Sequence, residues 1–460
     1  MNQEATICAI ATAIGEGGIG IVRVSGPQAL AIADKLFCSA VGKISSQTAS
    51  HHALYGRVID GLTGEVIDEA LLLVMRGPHS YTCEDVVEFQ CHGGPVPLRK
   101  LLEATLVAGA RLAEPGEFTK RAFLNGRLDL TQAEAVIDVI RAKTEASLKV
   151  AVNHLSGTLS QQIKTIRNEL LKMIANLEAA IDFPEEDIET VSAAQVQAGV
   201  EPVISEISKL LATSHSGRIL RDGLKTVIIG KPNVGKSSLL NALLREQRAI
   251  VTAIPGTTRD SIAEYVNVRG IPLKIIDTAG IRETQDIVEK IGVEKSRELI
   301  KEADLLLLIL DCSESLSSED LQVIELTAAY KGFILLNKAD LPAMLVYEDV
   351  KKLAGDWPII QLSLETGEGL EQLEQQIVDE VYGGHISSEA DCVNNVRHVN
   401  CLKQAEQQLQ DALVTIEQGL PIDCIVVDLR GAWEVLGEII GDTVGDDLID
   451  QIFSQFCIGK

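Results

Sequence analysis

Leu159, Ile163, Ile166, Leu170, Met173, Leu177 and Ile181 recur at gaps of three and four, and this spacing predicts one long helix with a single apolar stripe. Pro184 stops it. After the acidic turn Glu185-Glu186-Asp187 a second helix is expected over roughly 193 to 211, and both stripes need a partner to cover them. From about Leu224 the period changes to strand, loop, helix. Thr226–Ile229, Leu305–Leu310, Gly332–Leu336 and Ile359–Leu362 are short apolar runs of the kind that form buried parallel strands. Ala263–Val268 and Leu273–Ile276 flank Arg269-Gly270, which predicts a hairpin and hence one antiparallel edge. After about residue 383 the helical period returns, with Val399, Leu402, Ala405, Leu409, Leu413 and Ile416 on one face. Before about residue 120, Ile19–Val24 and Ala70–Met75 are strand-like and are followed by turn residues, as in a separate α+β domain.

The expected organisation is therefore an α+β N-terminal domain at 1–120, a helical domain in two halves at 121–222 and 383–460, and an α/β domain with a mostly parallel sheet at 223–382 inserted between them. Two independent helical bundles are the alternative. A length of 460 residues requires two or three cores, and a 46% hydrophobic content can fill them. The net charge of −25 argues against a chain that wraps nucleic acid on its own surface, so any RNA contact should be local or borrowed from a partner. Nine cysteines without a C-x-x-C pair indicate neither a zinc site nor a redox motif, and predict reduced thiols in a cytosol. The start, with Glu4 and no basic region, fits neither a signal nor a transit peptide. The longest aliphatic run, Leu305–Leu310, is far short of the roughly 20 residues of a membrane span.

Gly230-Lys231-Pro232-Asn233-Val234-Gly235-Lys236-Ser237 fits G-x-x-x-x-G-K-[ST], whose backbone N–H groups close around phosphate oxygens. Asn233 to Ser238 are the nucleotide contacts expected here. Lys236 would reach the β- and γ-phosphates, and Ser237 would bind Mg²⁺. Asp277-Thr278-Ala279-Gly280 can hold the Mg²⁺ shell and sense the γ-phosphate. Asn337-Lys338-Ala339-Asp340 supplies a carboxylate that accepts from guanine N1–H and the 2-amino group, donors that adenine lacks, so GTP is expected and not ATP. Thr252-Ala253-Ile254-Pro255-Gly256-Thr257-Thr258-Arg259-Asp260 is a first switch, with Thr258 as its Mg²⁺ ligand. Ile281 stands where a Ras-like enzyme has a water-orienting Gln, so that role passes to another group. Glu283, Gln285, Asp286 and Glu289 are the candidates, and Arg282 could add charge. The side-chain oxygen of Asn233 could join a monovalent-ion site.

Together with Gly256-Thr257-Thr258-Arg259-Asp260, Asp277-Thr278-Ala279-Gly280-Ile281-Arg282 and the terminal Phe456-Cys457-Ile458-Gly459-Lys460, these motifs make the chain closely resemble the MnmE (TrmE) family of tRNA-modification GTPases. The likeness spans the full length. It includes Gly15-Glu16-Gly17-Gly18-Ile19-Gly20, Gly77-Pro78-His79-Ser80-Tyr81-Thr82, Glu114-Pro115-Gly116-Glu117-Phe118, Arg121-Ala122-Phe123-Leu124-Asn125 and Ala180-Ile181-Asp182-Phe183-Pro184. The resemblance implies a dimerising N-terminal domain that binds 5-formyltetrahydrofolate, a discontinuous helical domain, and an inserted Ras-like P-loop GTPase domain.

It also implies K⁺ held by Asn233, Thr252, Ile254 and Thr257, Mg²⁺ held by Ser237 and Thr258, and Glu289 as the water-orienting acid. The folate site would comprise Arg23, Glu88, Arg127 and Lys460. Read without the resemblance, Arg23 and Glu88 are ordinary strand-surface charges, and Cys457 is a small buried hydrophobe.

The implied protein is a cytoplasmic homodimer, not associated with a membrane. It would work with an FAD-binding partner of the MnmG (GidA) type, contacting tRNA mainly through that partner. It would install (carboxymethyl)aminomethyl groups at C5 of the wobble uridine. Two positions depart from the family pattern: Ser363-Leu364-Glu365 replaces Ser-Ala-Lys or Ser-Ala-Arg in a second guanine-contacting loop, and Arg127 stands where Lys is common. The rival reading is a ribosome-assembly GTPase of the Era or EngA kind. It predicts a basic RNA-binding module after residue 383, where this chain is acidic and helical.

Overall fold

A computed structural model describes residues 5–42, 45–182, 193–246, 264–276, 299–383 and 392–460. The chain divides into two compact units, one of Met1–Ile137, His154–Leu171 and Arg430–Lys460, the other of Asp138–Asn153 and Lys172–Leu429.

The first unit is built on a seven-stranded sheet of β1 (Ile7–Ile10), β2 (Gly17–Ser25), β3 (Phe37–Ser39), β4 (His52–Ile59), β5 (Val66–Met75), β6 (Val86–Gly93) and β7 (Arg111–Leu112), in the order β3-β4-β5-β6-β2-β1-β7. Only the β1–β7 pair is parallel. Alternate residues of β2 and β6, Val22, Val24, Val87 and Phe89, face a core shared with Ile32 and Leu36 of α1 (Ala29–Leu36) and Leu98 and Leu101 of α2 (Pro95–Val107). The period of two leaves Arg23 and Glu88 on the opposite face, directly across from each other in the antiparallel register. Near α3 (Glu117–Leu124) and α4 (Leu130–Arg141), Leu130, Ile449, Phe453 and Phe456 form a separate small core.

Following α5 (Glu145–Leu155), the striped segment is a single helix, α6 (Thr158–Asp182), as its spacing predicts. Its buried positions are Leu159, Ile163, Ile166, Leu170, Ile174 and Leu177. Ile174 takes the place expected for Met173, which is half-buried, and Ile181 is exposed. The second helix is α7 (Ala193–Ala212), which continues through Pro202. It packs against the helix Val396–Glu417, although the two are separated in sequence by the second sheet. On that later helix the buried row is His398, Cys401, Leu402, Ala405, Leu409 and Ala412; Val399, Leu413 and Ile416, expected on the apolar face, are only half-covered at its margin.

After α8 (Ser214–Asp222) come β8 (Leu224–Ile229), α9 (Lys236–Glu246), β9 (Glu264–Val268), β10 (Ile271–Ile275), β11 (Leu305–Asp311), β12 (Gly332–Asn337) and β13 (Ile359–Gln361). Their order is β13-β12-β11-β8-β10-β9, parallel throughout except for the β9–β10 hairpin at the edge, as the sequence predicts. Leu305, Leu307 and Ile309 pack with Leu239 and Leu243 of α9 on one face. Leu308 and Leu310 pack with Ile324 and Val350 on the other. Burial on both faces explains why β11 is an unbroken aliphatic run. The ends of β8, β12 and β13 carry the phosphate loop, Asn337–Asp340 and Ser363–Glu365 that the motifs mark. Among the described residues no helix is long and apolar enough to cross a membrane.

Candidate functional site

The phosphate loop joins β8 to α9, so its turn of backbone ends at the helix N-terminus, where N–H groups and dipole favour an anion. Gly235 lies at φ 110°, and a Cβ there would stand 2.3 Å from Asn337 Nδ2, so only glycine fits. Asn233 is exposed and also has a positive φ, 65°. Lys236 folds across the loop, donating to the carbonyls of Gly230 at 2.6 Å and Lys231 at 2.7 Å. Burial pushes its pKa below the ordinary lysine value. Val234 is buried under the loop, Ser237 follows Lys236 in the first turn of α9, and Ser238 is exposed beside it.

Asn337 is a structural tie. Buried at the end of β12, it donates to the Val234 carbonyl at 2.7 Å and accepts from the Leu364 N–H at 3.3 Å, fastening phosphate loop, base loop and the 363–365 loop together. Lys338, at φ 64°, places Nζ 2.5 Å from Asp311 Oδ2. Burial would raise the Asp311 carboxyl, but hydrogen bonds from Lys338 and Ser313 outweigh it and hold its pKa below the ordinary value. Asp340 is exposed, and the buried Ser363 donates to its Oδ1 at 2.6 Å, which orients the carboxylate. Leu364 leans into the sheet's core, whereas Glu365 is exposed. The structure thus brings together Asn233 to Ser238, Asn337, Lys338, Asp340 and Ser363 to Glu365. Thr252 to Thr258, Asp277 to Gly280 and Glu289 lie outside the described residues.

A second constellation stands on the first unit. Arg23 Nε is 2.8 Å from Glu88 Oε1, with side-chain exposures of 15% and 11%. The guanidinium lies 5.5 Å from the Tyr81 ring centroid and 5.6 Å from that of Phe118, and donates to the Gly459 carbonyl at 3.4 Å. Arg127 approaches the same Tyr81 ring at 4.8 Å and donates to the Tyr81 carbonyl at 2.8 Å. Lys460 has its pKa lowered by burial and by Arg23, with Glu88 opposing. All four residues singled out in sequence therefore converge, and Arg23 and Glu88 are not ordinary surface charges. Tyr81 and Phe118 were not anticipated as walls of the site, although both stand in motifs that the sequence displays.

Those motifs also hold the Tyr81 loop. Arg121 donates to Glu84 at 3.0 Å and to Glu117 at 2.9 Å, Asn125 donates to the Thr82 carbonyl at 2.7 Å, and Tyr81 Oη meets Thr119 Oγ1 at 2.9 Å. Cys457 is exposed, contrary to the buried hydrophobe expected. The neighbouring Phe456 fills the core instead, and the Cys457 carbonyl accepts from the Gly116 N–H at 3.4 Å.

A family model described as the MnmE helical domain matches residues 130–457, and one described as the GTP-binding protein TrmE N-terminus matches residues 6–127. The chain is 53% identical over 457 residues to a protein named tRNA modification GTPase MnmE from Bacillus velezensis, covering 99% of this chain and 100% of that one. It is 52% identical over 462 residues to the like-named protein of Geobacillus thermodenitrificans, covering 100% of both. Its identity to the like-named protein of Bacillus subtilis (strain 168) is 52% over 457 residues.

Proposed function

Because this chain belongs to the MnmE (TrmE) family of tRNA-modification GTPases, we propose that it is a potassium-assisted GTPase. We propose further that it acts as a homodimer with an FAD-binding partner of the MnmG (GidA) type to install (carboxymethyl)aminomethyl groups at C5 of the tRNA wobble uridine. The one-carbon unit would come from 5-formyltetrahydrofolate. In this reading 1–120 is the folate and dimerising domain, 223–382 the GTPase domain, and 121–222 with 383–460 the helical domain, all in the cytoplasm. The observation that carries the GTPase reading is the tie at Asn337, which holds the phosphate loop and the base-reading loop at one fixed spacing.

The mechanism follows from what each side chain can do. The half-buried Lys236 ammonium neutralises charge between the β- and γ-phosphates. Asp340, steadied by Ser363, accepts from the two donors of the guanine edge. The Leu364 N–H donates to Asn337 Oδ1, and the exposed Glu365 adds no cation to pack on the base. The hydroxyl of Ser237 and the amide oxygen of Asn233 are hard oxygen donors that suit Mg²⁺ and K⁺ respectively, with Thr252, Ile254, Thr257 and Thr258 completing those shells. Bound there, the two cations would offset the charge that develops on the transferring phosphoryl group. Glu289 would orient the attacking water that Ile281 cannot. Folding changes that follow loss of the γ-phosphate would drive the cycle.

For the folate, the buried Glu88 carboxylate suits a pterin N–H edge, because Arg23 engages Oε1 alone, and the Tyr81 and Phe118 rings offer faces for a planar ligand. Arg127 and Lys460 are cations suited to a glutamate tail. A strain lacking the protein, complemented by the parent or by Arg23→Ala, tests this reading by nucleoside analysis of tRNA. The parent should restore the wobble modification, turn over GTP faster in KCl than in NaCl, and bind 5-formyltetrahydrofolate. Arg23→Ala should keep the GTPase and lose both folate binding and modification. An Arg23→Ala protein that binds folate as tightly as the parent contradicts the assignment.

A further inference from the structure

The turn that follows β11 grips both nucleotide loops through lysines. Lys338 of the base loop pairs with Asp311, which heads that turn and also accepts from the Ser313 N–H at 2.9 Å. Lys231 of the phosphate loop places Nζ 2.7 Å from Glu314 Oε2 and 3.3 Å from Asp320 Oδ2. Ordinary surface ion pairs contribute little, and Glu314 is 59% exposed, but the Lys231–Asp320 pair is sheltered, with side chains 14% and 5% exposed. Asp320 cannot swing away, since its Oδ2 also accepts from the Ser317 N–H at 3.0 Å and the Ser317 hydroxyl at 2.7 Å in a capping box at the helix Ser318–Thr327.

The main chain of Lys231 has a second task. Its carbonyl accepts from Lys236 Nζ at 2.7 Å, so the anchored side chain fixes the peptide that aims the phosphate-binding ammonium. Without the Lys231 charge, Glu314 and Asp320 would also lie unneutralised beside the loop that must receive a triphosphate.

We propose that Lys231 is a positioning residue for the guanine nucleotide, clamping the phosphate loop to the turn after β11 and screening two carboxylates from the phosphates. The proposal rests on the GTPase reading, and the experiment separates the two. Binding of a fluorescent N-methylanthraniloyl-GDP to the full-length parent tests the reading itself, and the ratio between variants tests the clamp. Lys231→Met should raise Kd about tenfold, Lys231→Arg should stay within about twofold of the parent because it keeps the pair, and Glu314→Gln should weaken binding about threefold while leaving the Asp320 cap intact. A lowered melting temperature with unchanged Kd, or a Lys231→Arg protein as weak as Lys231→Met, overturns the proposal. Should Lys231→Met fail to fold, Lys231→Gln decides, and parent-like affinity in that variant overturns it equally.

Discussion

At the residue scale, the nucleotide cradle depends on a few atoms that leave no room for alternatives. A methyl at Gly235 would meet Asn337 Nδ2 at 2.3 Å and would have to adopt φ 110°. Gly235→Ala should therefore cost about 3 kcal/mol of stability. It should also weaken guanine-nucleotide binding, because Asn337 must shift and release Val234 and Leu364 together. Thermal unfolding with and without GDP checks this: the variant should melt lower and gain less from GDP than the parent, whereas an equal gain would show that the tie is dispensable. The motif residues of this cradle were legible because phosphate and guanine chemistry leave few options for residue type and spacing. Asp311, Asp320 and Glu314 were not legible, since their role depends on which loops the sheet brings together.

At the scale of elements, period-two and period-3.6 patterning located the parallel sheet, its single antiparallel hairpin and the long α6 correctly. It was less reliable for which turn faces inward. Ile174 rather than Met173 is buried on α6, and His398 and Cys401 lie at the centre of a row expected to run through Val399. A half-covered helix margin accepts apolar residues as readily as its centre does, so the stripe alone cannot fix the rotation. The element that presents Tyr81 was hidden for a different reason: it is held by buried charges, not by an apolar pattern. Glu117 is central there. Burial would raise its carboxyl, but hydrogen bonds from Arg111, the Glu114 N–H and Arg121 outweigh this and lower its pKa.

A lowered folded-state value means that the stabilisation is fully present above the unfolded carboxyl value of about 4.3 and is lost as pH falls through the folded value. Glu117→Gln should accordingly melt several degrees below the parent at pH 7, and the gap should narrow once the pH drops below about 4. A gap that is constant from pH 7 to pH 3 would show that charge at Glu117 does not hold the loop.

For the whole molecule, the likeness to MnmE proteins runs the full length of a chain that divides into two compact units. The Arg23–Glu88 site was legible only through that likeness, because a cross-strand ion pair is common on sheets and nothing local distinguishes this one. Its aromatic walls come from residues 58 and 95 positions downstream of Arg23 in sequence, a convergence that spacing alone does not reveal. The account nevertheless stands first on a cradle that distinguishes guanine from adenine. Calorimetric titration of the purified protein with GDP and with ADP in Mg²⁺ tests this most directly, repeated with Asp340→Asn and xanthosine diphosphate, whose 2-oxo group accepts where guanine donates. Heat is expected for GDP and none for ADP, with preference passing to the xanthosine nucleotide in the variant. Equal binding of ADP and GDP by the parent, or undiminished GDP binding by Asp340→Asn, would contradict it.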